Sequence, residues 1–383
     1  MDSSLKPLDY DLSHEGDRIL IRGDGDEFFL HLSDPHLVDR RSGVFAAWIL
    51  LPLAMIKNRS IRIHGGTGDD LVSQNFETLS LIWSTWMPDK FHRVSVAFDE
   101  SGPTLPPETS TDLVLFSGGV DSTYNLLMRH RAGLKQTFLT IHGMDYREAD
   151  RERFDHLVAM TRPLIALTSS NQIFCRTNAY TIYRKYGLQA SISHAFLLFG
   201  CLFLHGASYR RGEIAADNAR YQEFLLFPWG TNSVTNPLFE SRSFKIHTAN
   251  LDQTRAEKLG LITAYPEALS ALSFCVNYDF RPKNCGVCPK CIRTKMMFVA
   301  ECGAVPDIFA DPSLRKEHFA LFNLTQAASR KMLLDIAQRA TLHGYVDRLP
   351  GLAEMIAKLQ QPPRPELRAC LQMFRDWLRS RLK

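Results

Sequence analysis

Residues 113–127 read LVLFSGGVDSTYNLL, an apolar strand pattern that runs into two glycines and then into an apolar helical pattern. Glycines at such a turn let the main chain adopt positive φ, and the first N–H groups of the following helix point at an anion. Hydroxyls flank the glycines, and one carboxylate fits either a helix cap or a site for Mg²⁺ beside phosphates. The stretch therefore predicts a phosphate-binding loop made of Ser117, Gly118, Gly119, Val120, Asp121 and Ser122.

The loop lacks the lysine of the common nucleotide-binding motif, and GxxxxGK[ST] occurs nowhere in the chain. Transfer of a γ-phosphate in the usual way is therefore not supported. The alternative to a binding loop is a glycine turn in which Asp121 or Ser122 simply caps a helix. The position of the motif between a buried strand and a helix favours the binding loop.

Outward from this loop, strand and helix patterns alternate, which predicts an α/β fold with a parallel sheet covered on both faces. The first hundred residues predict a small α+β domain with a hairpin around Gly23–Asp26. A breaker-rich stretch, Ser101–Thr111, follows it. The last eighty residues are helical and basic in their final turns. We predict an N-terminal domain for docking a partner or substrate at 1–108, a domain that carries the phosphate-binding loop at 109–303 and a helical C-terminal extension at 304–383.

The composition is that of an ordinary globular chain of 383 residues with a net charge of +4, too small to argue for direct nucleic-acid binding. No apolar stretch approaches the roughly 20 residues of a membrane span. The polar N-terminus has no signal-peptide core, so a cytoplasmic location without membrane contact is expected.

Four of the eight cysteines crowd into a short segment, which indicates a metal site rather than a disulfide framework. Two overlapping CxxC steps in Cys285–Cys291 place three thiolates on one turn, and a fourth thiolate ten residues upstream can complete a tetrahedron. Structural Zn²⁺ is the prediction, with free cysteines and an iron–sulfur cluster that recruits Cys302 as the alternatives. The predicted ligands are Cys275, Cys285, Cys288 and Cys291.

Ser117–Ser122 matches the SGGxDS signature of the PP-loop ATP pyrophosphatases, and this resemblance implies an adenine-nucleotide α-hydrolase-like fold. It also implies that ATP is cleaved between its α and β phosphates to give an acyl-adenylate and pyrophosphate. The same loop followed by Cys…CGxCxxC resembles the QueC family of 7-cyano-7-deazaguanine synthases over roughly residues 112–300. In that comparison Arg255 stands where the family has a lysine, an exchange that keeps the charge but changes the donor geometry.

The chain departs from the synthases at Ile141–Tyr146, at Ser191–His194 and in the loop around Trp229. It is also longer at both ends. The whole pattern looks closer to the QueC-like proteins of bacterial antiphage systems (Qat and type IV CBASS). That resemblance implies a ligase that joins a 7-deazaguanine to the N-terminal amine of a partner protein from the same operon. ATP and Mg²⁺ are the cofactors implied.

Several polar residues are candidates for the site. Asp121, Ser117, His194 and Arg255 are predicted to be catalytic, and His142, Asp145, Trp229 and Gly230 are predicted to bind the substrate. A histidine suits proton transfer and a tryptophan stacks on flat bases, although each is as often structural. Lys258 lies three residues after Arg255 on a helical pattern, and a solvent-exposed position is favoured for it.

Three other functions are carried as alternatives. The first is a free 7-cyano-7-deazaguanine (preQ0) synthase that uses ammonia. The second is a PP-loop enzyme that thiolates tRNA, for which Cys175 or Cys201 would have to serve as the reactive thiol, although both lie in apolar settings that disfavour a thiolate. The third is a non-catalytic scaffold, which an intact SGGVDS loop argues against.

Overall fold

The structure is a computed structural model that describes residues 6–102, 109–226 and 228–360. Its described strands form one ten-stranded, mostly parallel sheet in the order β10-β9-β6-β7-β8-β3-β2-β1-β4-β5. Their bounds are β1 Leu8–Glu15, β2 Arg18–Gly23, β3 Asp26–Leu32, β4 Ile61–Gly68, β5 Val96–Ser101, β6 Asp112–Leu115, β7 Gln136–His142, β8 Asn171–Thr177, β9 Gly212–Ala215 and β10 Ile246–Ala249. The predicted α/β class with a parallel sheet is confirmed.

The five strands from β10 to β8 are all parallel, and the chain changes direction across the sheet at β6. From β6 the chain builds β7 and β8 on one side, then returns to add β9 and β10 on the other. A crevice forms at the carboxyl ends of the strands where such a reversal occurs, and ligands of open α/β sheets bind there. The predicted phosphate loop leaves β6 at this point.

The N-terminal hundred residues continue the same sheet. The predicted hairpin is present as antiparallel β2 and β3, and β3 then pairs antiparallel with β8. The hydrophobic core beneath these strands also runs across the predicted boundary, because Trp48 and Phe239 pack together with ring centroids 5.1 Å apart. The three-part division of the chain stays a prediction, but sheet and core both cross position 108. Residues 103–108 of the predicted linker lie outside the described residues.

Helices cover both faces of the sheet. They are α1 Val44–Lys57, α2 Asp70–Trp86, α3 Val120–Arg131, α4 Arg151–Leu167, α5 Ala179–Lys185, α6 Ala190–Phe203, α7 Arg220–Glu223, α8 Arg255–Ile262, α9 Pro266–Ser270, α10 Pro289–Cys302, α11 Ala327–His343 and α12 Leu352–Leu359. α1 is apolar all round and packs on α6 under one face of the sheet. α3, α8, α10 and α11 enclose a second core on the other face. Among the described helices, none has the length and apolar character needed to cross a bilayer.

Helix α4 starts at a side-chain cap, and the C-terminal extension is partly helical. α4 begins at Arg151 because Asp150 caps it by accepting a hydrogen bond from the Arg153 N–H at 3.2 Å. The C-terminal extension contains α11, α12 and two short 3₁₀ helices. Its basic final turns, within 361–383, lie outside the described residues.

Candidate active site

The Ser117–Ser122 loop joins the carboxyl end of β6 to the first turn of α3. Gly118 has φ +71°, a left-handed conformation that favours glycine, and Gly119 is the N-cap of α3. No side chain among the described residues caps this helix. The first N–H groups of α3 are therefore free of intrahelical partners, and the positive end of the helix faces the crevice. Such a terminus can bind an anion.

This loop forms one wall of an open cleft. The cleft holds about 1060 Å³ of empty space, which includes open solvent at its mouth. The apolar floor comes from the ends of three parallel strands and from α6, and includes Leu115, Ile141, Leu198 and Ile214. The polar walls carry Ser117, Asp121, Ser122, Asp145, His194, Asp217, Arg255, Lys290 and Thr294. Convergent polar groups over an apolar floor are typical of a small-molecule site.

Asp121 is held by two cations from α8. Its Oδ2 accepts a hydrogen bond from Arg255, and its Oδ1 lies 2.9 Å from the Lys258 Nζ. Burial alone would raise the pKa of Asp121, but the charges of Arg255 and Lys258 lower it overall. Lys258 is fully buried and also donates to the Ala216 carbonyl at 2.6 Å, so the favoured solvent-exposed position for it was wrong. Its aliphatic chain packs inside the protein and only its amine reaches the loop.

Asp217, two residues beyond β9, is the second carboxylate of the cleft. Its Oδ2 accepts hydrogen bonds from Thr231 at 2.7 Å and from the Trp229 indole at 3.0 Å. Burial would raise the pKa of Asp217, but hydrogen bonding from His194 and Thr231 and the positive charge of Arg255 lower it strongly. Asp121 and Asp217 are therefore both ionised at neutral pH.

His194 sits on α6 and lines the cleft, as the sequence predicted for a functional histidine. Its Nδ1 faces the Ala190 carbonyl at 2.7 Å and so carries a proton, because a carbonyl only accepts. Its Nε2 lies 3.1 Å from the Thr231 hydroxyl and 3.6 Å from Asp217 Oδ2. The ring is thus oriented at both nitrogens, which suits a group that holds or moves a proton.

Two of the predicted substrate-binding residues support His194 instead of lining the cleft. Trp229 donates to Asp217 and meets the His194 ring edge-on, with centroids 5.7 Å apart. Gly230 packs so closely against α6 that an added Cβ would lie 2.6 Å from His194 Cε1 and 2.5 Å from the Ile192 carbonyl oxygen. Both residues therefore fix the position of the histidine.

His142 lies on the opposite face of the sheet. Side chains alternate along β7, so Ile141 points into the cleft while His142 stacks on Phe154 of α4, with centroids 4.3 Å apart. Its Nε2 donates to the Arg147 carbonyl at 2.7 Å, and burial lowers its pKa. His142 therefore does not reach the cleft. Asp145 does line it, at the mouth, 3.6 Å from Arg281.

The four predicted metal ligands come together. The sulfur atoms of Cys275, Cys285, Cys288 and Cys291 all lie within 4.8 Å of one another. Two of their separations are 3.8 and 4.0 Å. Tetrahedral Zn²⁺ with Zn–S bonds of about 2.3 Å places its sulfurs about 3.8 Å apart, so the donor set fits a single zinc ion. A polynuclear iron–sulfur cluster would hold the thiolates further apart, and Cys302 lies elsewhere, against Thr263.

The cysteine knuckle, residues 273–291, is fastened directly to the phosphate loop. The Ser273 N–H donates to the Gly118 carbonyl at 2.8 Å, and the Ser273 hydroxyl bonds to Tyr146 at 2.9 Å. The knuckle thus forms the wall of the cleft that faces the helix terminus.

Burial on its own would raise the pKa of Cys288, but hydrogen bonds from the Cys291 and Val276 N–H groups lower it to about 6.

Two residues of this site, Asp217 and Lys290, escaped the sequence analysis, and a third, Lys258, was expected on an exposed face instead. Asp217, like Ser117, lies two residues after the end of a parallel strand. Ligands of open α/β sheets bind at the carboxyl ends of the strands, so the prediction of β9 could have indicated Asp217. Lys290 stands between two predicted metal ligands, where the cysteines dominated the interpretation. For Lys258 the sequence carried no signal, because only the tertiary fold encloses its helix.

The cleft also offers oxygen ligands for Mg²⁺. Both oxygens of Asp121 are already bound to cations, whereas Asp217 uses its Oδ2 alone in the hydrogen bonds described above. Asp217 Oδ1 is therefore the available ligand, and the substrate's phosphates would supply others, as is usual for Mg²⁺.

Comparisons with models of known protein families, with curated proteins and with solved structures find no match to this chain.

Proposed function

We propose that this protein is an ATP-dependent carbon–nitrogen ligase. In this proposal it adenylates the carboxylate of 7-carboxy-7-deazaguanine and couples the activated base to an amine, the N-terminus of a partner protein in antiviral defence. The cleft supports a ligand that carries phosphates, whereas ATP, the reaction type, the base and the acceptor follow from the resemblance of the two motifs to the PP-loop and QueC families. The proposal also takes the resemblance to imply a cytoplasmic PP-loop enzyme.

The observation that carries the proposal is the convergence at one cleft of an uncapped helix terminus, Asp121, Asp217 and Arg255. The helix terminus and the arginine supply fixed positive charge for phosphates, and the apolar floor accepts a flat base. The chain contains no GxxxxGK[ST] lysine, and the resemblance of Ser117–Ser122 to the PP-loop ATP pyrophosphatases implies cleavage between the α and β phosphates.

The chemistry proceeds in two steps. A carboxylate oxygen of the base attacks the α-phosphorus of ATP, and the bond from that phosphorus to the bridging oxygen breaks as pyrophosphate leaves. The amine nitrogen then attacks the acyl carbon, AMP departs with the carboxylate oxygen, and the amine loses a proton. Loop amides, Ser117 and Arg255 stabilise the charge that develops on the phosphoryl oxygens. His194, which is oriented by the Ala190 carbonyl and the Thr231 hydroxyl, is the group that we assign to accept the proton lost by the amine.

Mg²⁺ bound at Asp217 would neutralise phosphate charge when ATP enters. Zn²⁺ at the four cysteines would be structural, since four thiolates leave no open coordination position. The arrangement does not favour tRNA thiolation, because Cys175 and Cys201 are fully buried and neither lines the cleft. A hydrogen bond with Cys175 and burial raise the pKa of Cys201, which disfavours its thiolate.

The direct test incubates the zinc-loaded protein with ATP, Mg²⁺ and 7-carboxy-7-deazaguanine and measures pyrophosphate and AMP. We expect pyrophosphate release that depends on the base, and loss of at least a hundredfold in rate for Asp217→Asn. Lys283→Gln, an exposed change on the knuckle, is the control and should keep full activity.

The acceptor is tested by mass spectrometry of proteins encoded beside this one and co-expressed with it. An added deazaguanine mass on one N-terminus is the expected result. Release of free 7-cyano-7-deazaguanine when ammonia is supplied would instead favour the synthase reaction. Absence of both nucleotide binding and turnover, alone and with those neighbours, would refute the proposal.

A further inference from the structure

The cysteine knuckle delivers a cation to the cleft. Lys290 lies between the metal ligands Cys288 and Cys291, and its side chain lines the cleft together with Thr294, one turn later on α10. Residues four apart project from the same face of a helix, so this face of α10 is part of the wall of the cleft. Phe274, next to Cys275, lines the same wall.

Lys290 differs from the other basic groups of the cleft in having no ion pair with any residue that the structure describes. Arg255 and the buried Lys258 are compensated by Asp121, and Asp217 adds a further negative charge beside Arg255. Among the described residues, none gives the Lys290 ammonium a hydrogen bond or an ion pair. Its side chain lines the same cleft as Ser117 and Asp121 of the phosphate loop. An unpaired cation in a half-buried wall is stabilised when an anion enters.

The metal ligands hold the backbone that carries this lysine. Cys288 is the N-cap of α10, and its sulfur accepts a hydrogen bond from the Cys291 N–H at 3.5 Å. The Cys288 N–H in turn donates to the Cys285 sulfur at 3.3 Å. Two of the four sulfurs that fit a zinc ion, those of Cys285 and Cys288, therefore organise the start of α10, and the Ser273–Gly118 hydrogen bond fixes the knuckle to the loop. A metal ion bound by these cysteines would hold the backbone of Lys290 in place without touching the substrate.

We propose that Lys290 binds the phosphate chain of ATP, and that metal at the four cysteines controls nucleotide affinity by holding Lys290 against the phosphate loop. The inference rests on the proposed function only in taking ATP as the ligand of the cleft. It assigns the knuckle a second role besides stabilising the fold. The anion bound is the nucleotide and not the carboxylate of the base, because the knuckle is attached to the phosphate loop itself.

The test measures affinity for α,β-methylene ATP, which cannot be cleaved between the α and β phosphates, by calorimetry on the full chain. Lys290→Gln should weaken binding roughly 10- to 100-fold, as loss of a hydrogen bond to a charged group does. Lys290→Arg should recover part of that loss by keeping the charge. Lys283→Gln, on the same knuckle but exposed, should bind as the wild type does.

The second arm separates a structural metal from one that acts through Lys290. Metal is removed by chelation from the wild type and from Lys290→Gln, with zinc content and circular dichroism recorded for each. The wild type should lose affinity on chelation, whereas Lys290→Gln should lose little more. Equal losses in both would overturn the coupling.

Unchanged affinity in Lys290→Gln would overturn the role of the lysine, as would a defect confined to binding of 7-carboxy-7-deazaguanine. If the wild type itself binds no nucleotide, the proposed function and this inference are overturned together. If the wild type binds and Lys290→Gln binds equally well, the inference alone is overturned.

Discussion

Asp121 has both carboxylate oxygens engaged by cations, one of them on a fully buried side chain. The negative charge of Asp121 in the loop is therefore compensated by the protein's own cations before any phosphate binds. Entry of a polyphosphate gives Arg255 a second anionic partner, so the arginine can be shared between Asp121 and the ligand. The buried Lys258 then keeps Asp121 compensated.

Lys258→Met tests this arrangement. It removes the buried partner and leaves Asp121 with Arg255 alone, so we expect the free energy of unfolding to fall by about 3 kcal/mol. Urea denaturation followed by circular dichroism measures the change. Lys283→Met, at an exposed position, should alter stability by less than about 0.5 kcal/mol. A Lys258→Met protein as stable as the wild type would show that the pair contributes nothing to the fold.

The two carboxylates also predict how stability depends on pH. The pKa values of Asp121 and Asp217 are both lowered in the folded protein, so the unfolded chain takes up their protons first on acidification. Their contribution is complete above the ordinary carboxyl pKa of about 4 and is lost as pH falls below it. Unfolding free energies between pH 6 and pH 3 should therefore drop less steeply for Asp217→Asn than for the wild type. Equal slopes would contradict the assignment.

At the scale of elements, the cleft depends on how closely α6 approaches α1. Gly200 of α6 faces α1 with no side chain, and a Cβ there would lie 2.5 Å from Ile49 Cγ1. α6 carries His194, so a shift of this helix moves a catalytic candidate. A change in the packing of α1 against α6 would therefore also move His194 in the cleft.

Gly200→Val should overpack the contact between α1 and α6 and cost about 2 kcal/mol of stability, because the core has no space for the added atoms. Thermal unfolding measures this cost. Ile49→Ala removes the atom that the new side chain meets, and the double variant should be more stable than the sum of the two single changes predicts. Strict additivity would show that the helices do not touch at this point.

At the scale of the whole molecule, one sheet joins the N-terminal strands to the phosphate-binding half. β8 is the shared strand, since it pairs with β7 on one side and with β3 on the other. The core beneath these strands contains residues from both halves, so neither half can bury its apolar surface without the other.

A single unfolding transition is the consequence. Tryptophan fluorescence, dominated by Trp48, Trp83 and Trp86 of the N-terminal strand-and-helix region, should report the same denaturation midpoint as far-ultraviolet circular dichroism. A chain that begins at residue 109 should aggregate or fail to fold, because β8 and the underside of α6 would be exposed. Two separated transitions would indicate that the N-terminal part folds independently.

The sequence by itself determined the local elements and the motifs made of near neighbours. The hairpin, the glycine turn and the cysteine spacing are all set by contacts within a few residues, and such contacts leave periodic and turn patterns in the sequence. The four-cysteine cluster was therefore predictable ligand by ligand.

Only the tertiary structure decided which side chains meet in the cleft. Asp217, Lys258 and Lys290 come from three distant segments, and Trp229 became a support for His194 because its loop folds back on α6. His142 lies on the face of β7 opposite the cleft. A strand prediction shows that neighbouring side chains point to opposite faces, but only the layers packed on the sheet decide which face meets the cleft. The pairing of β3 with β8 joins residues about 145 positions apart. Packing and long-range charge pairing decide such contacts, and they leave no local pattern in the chain.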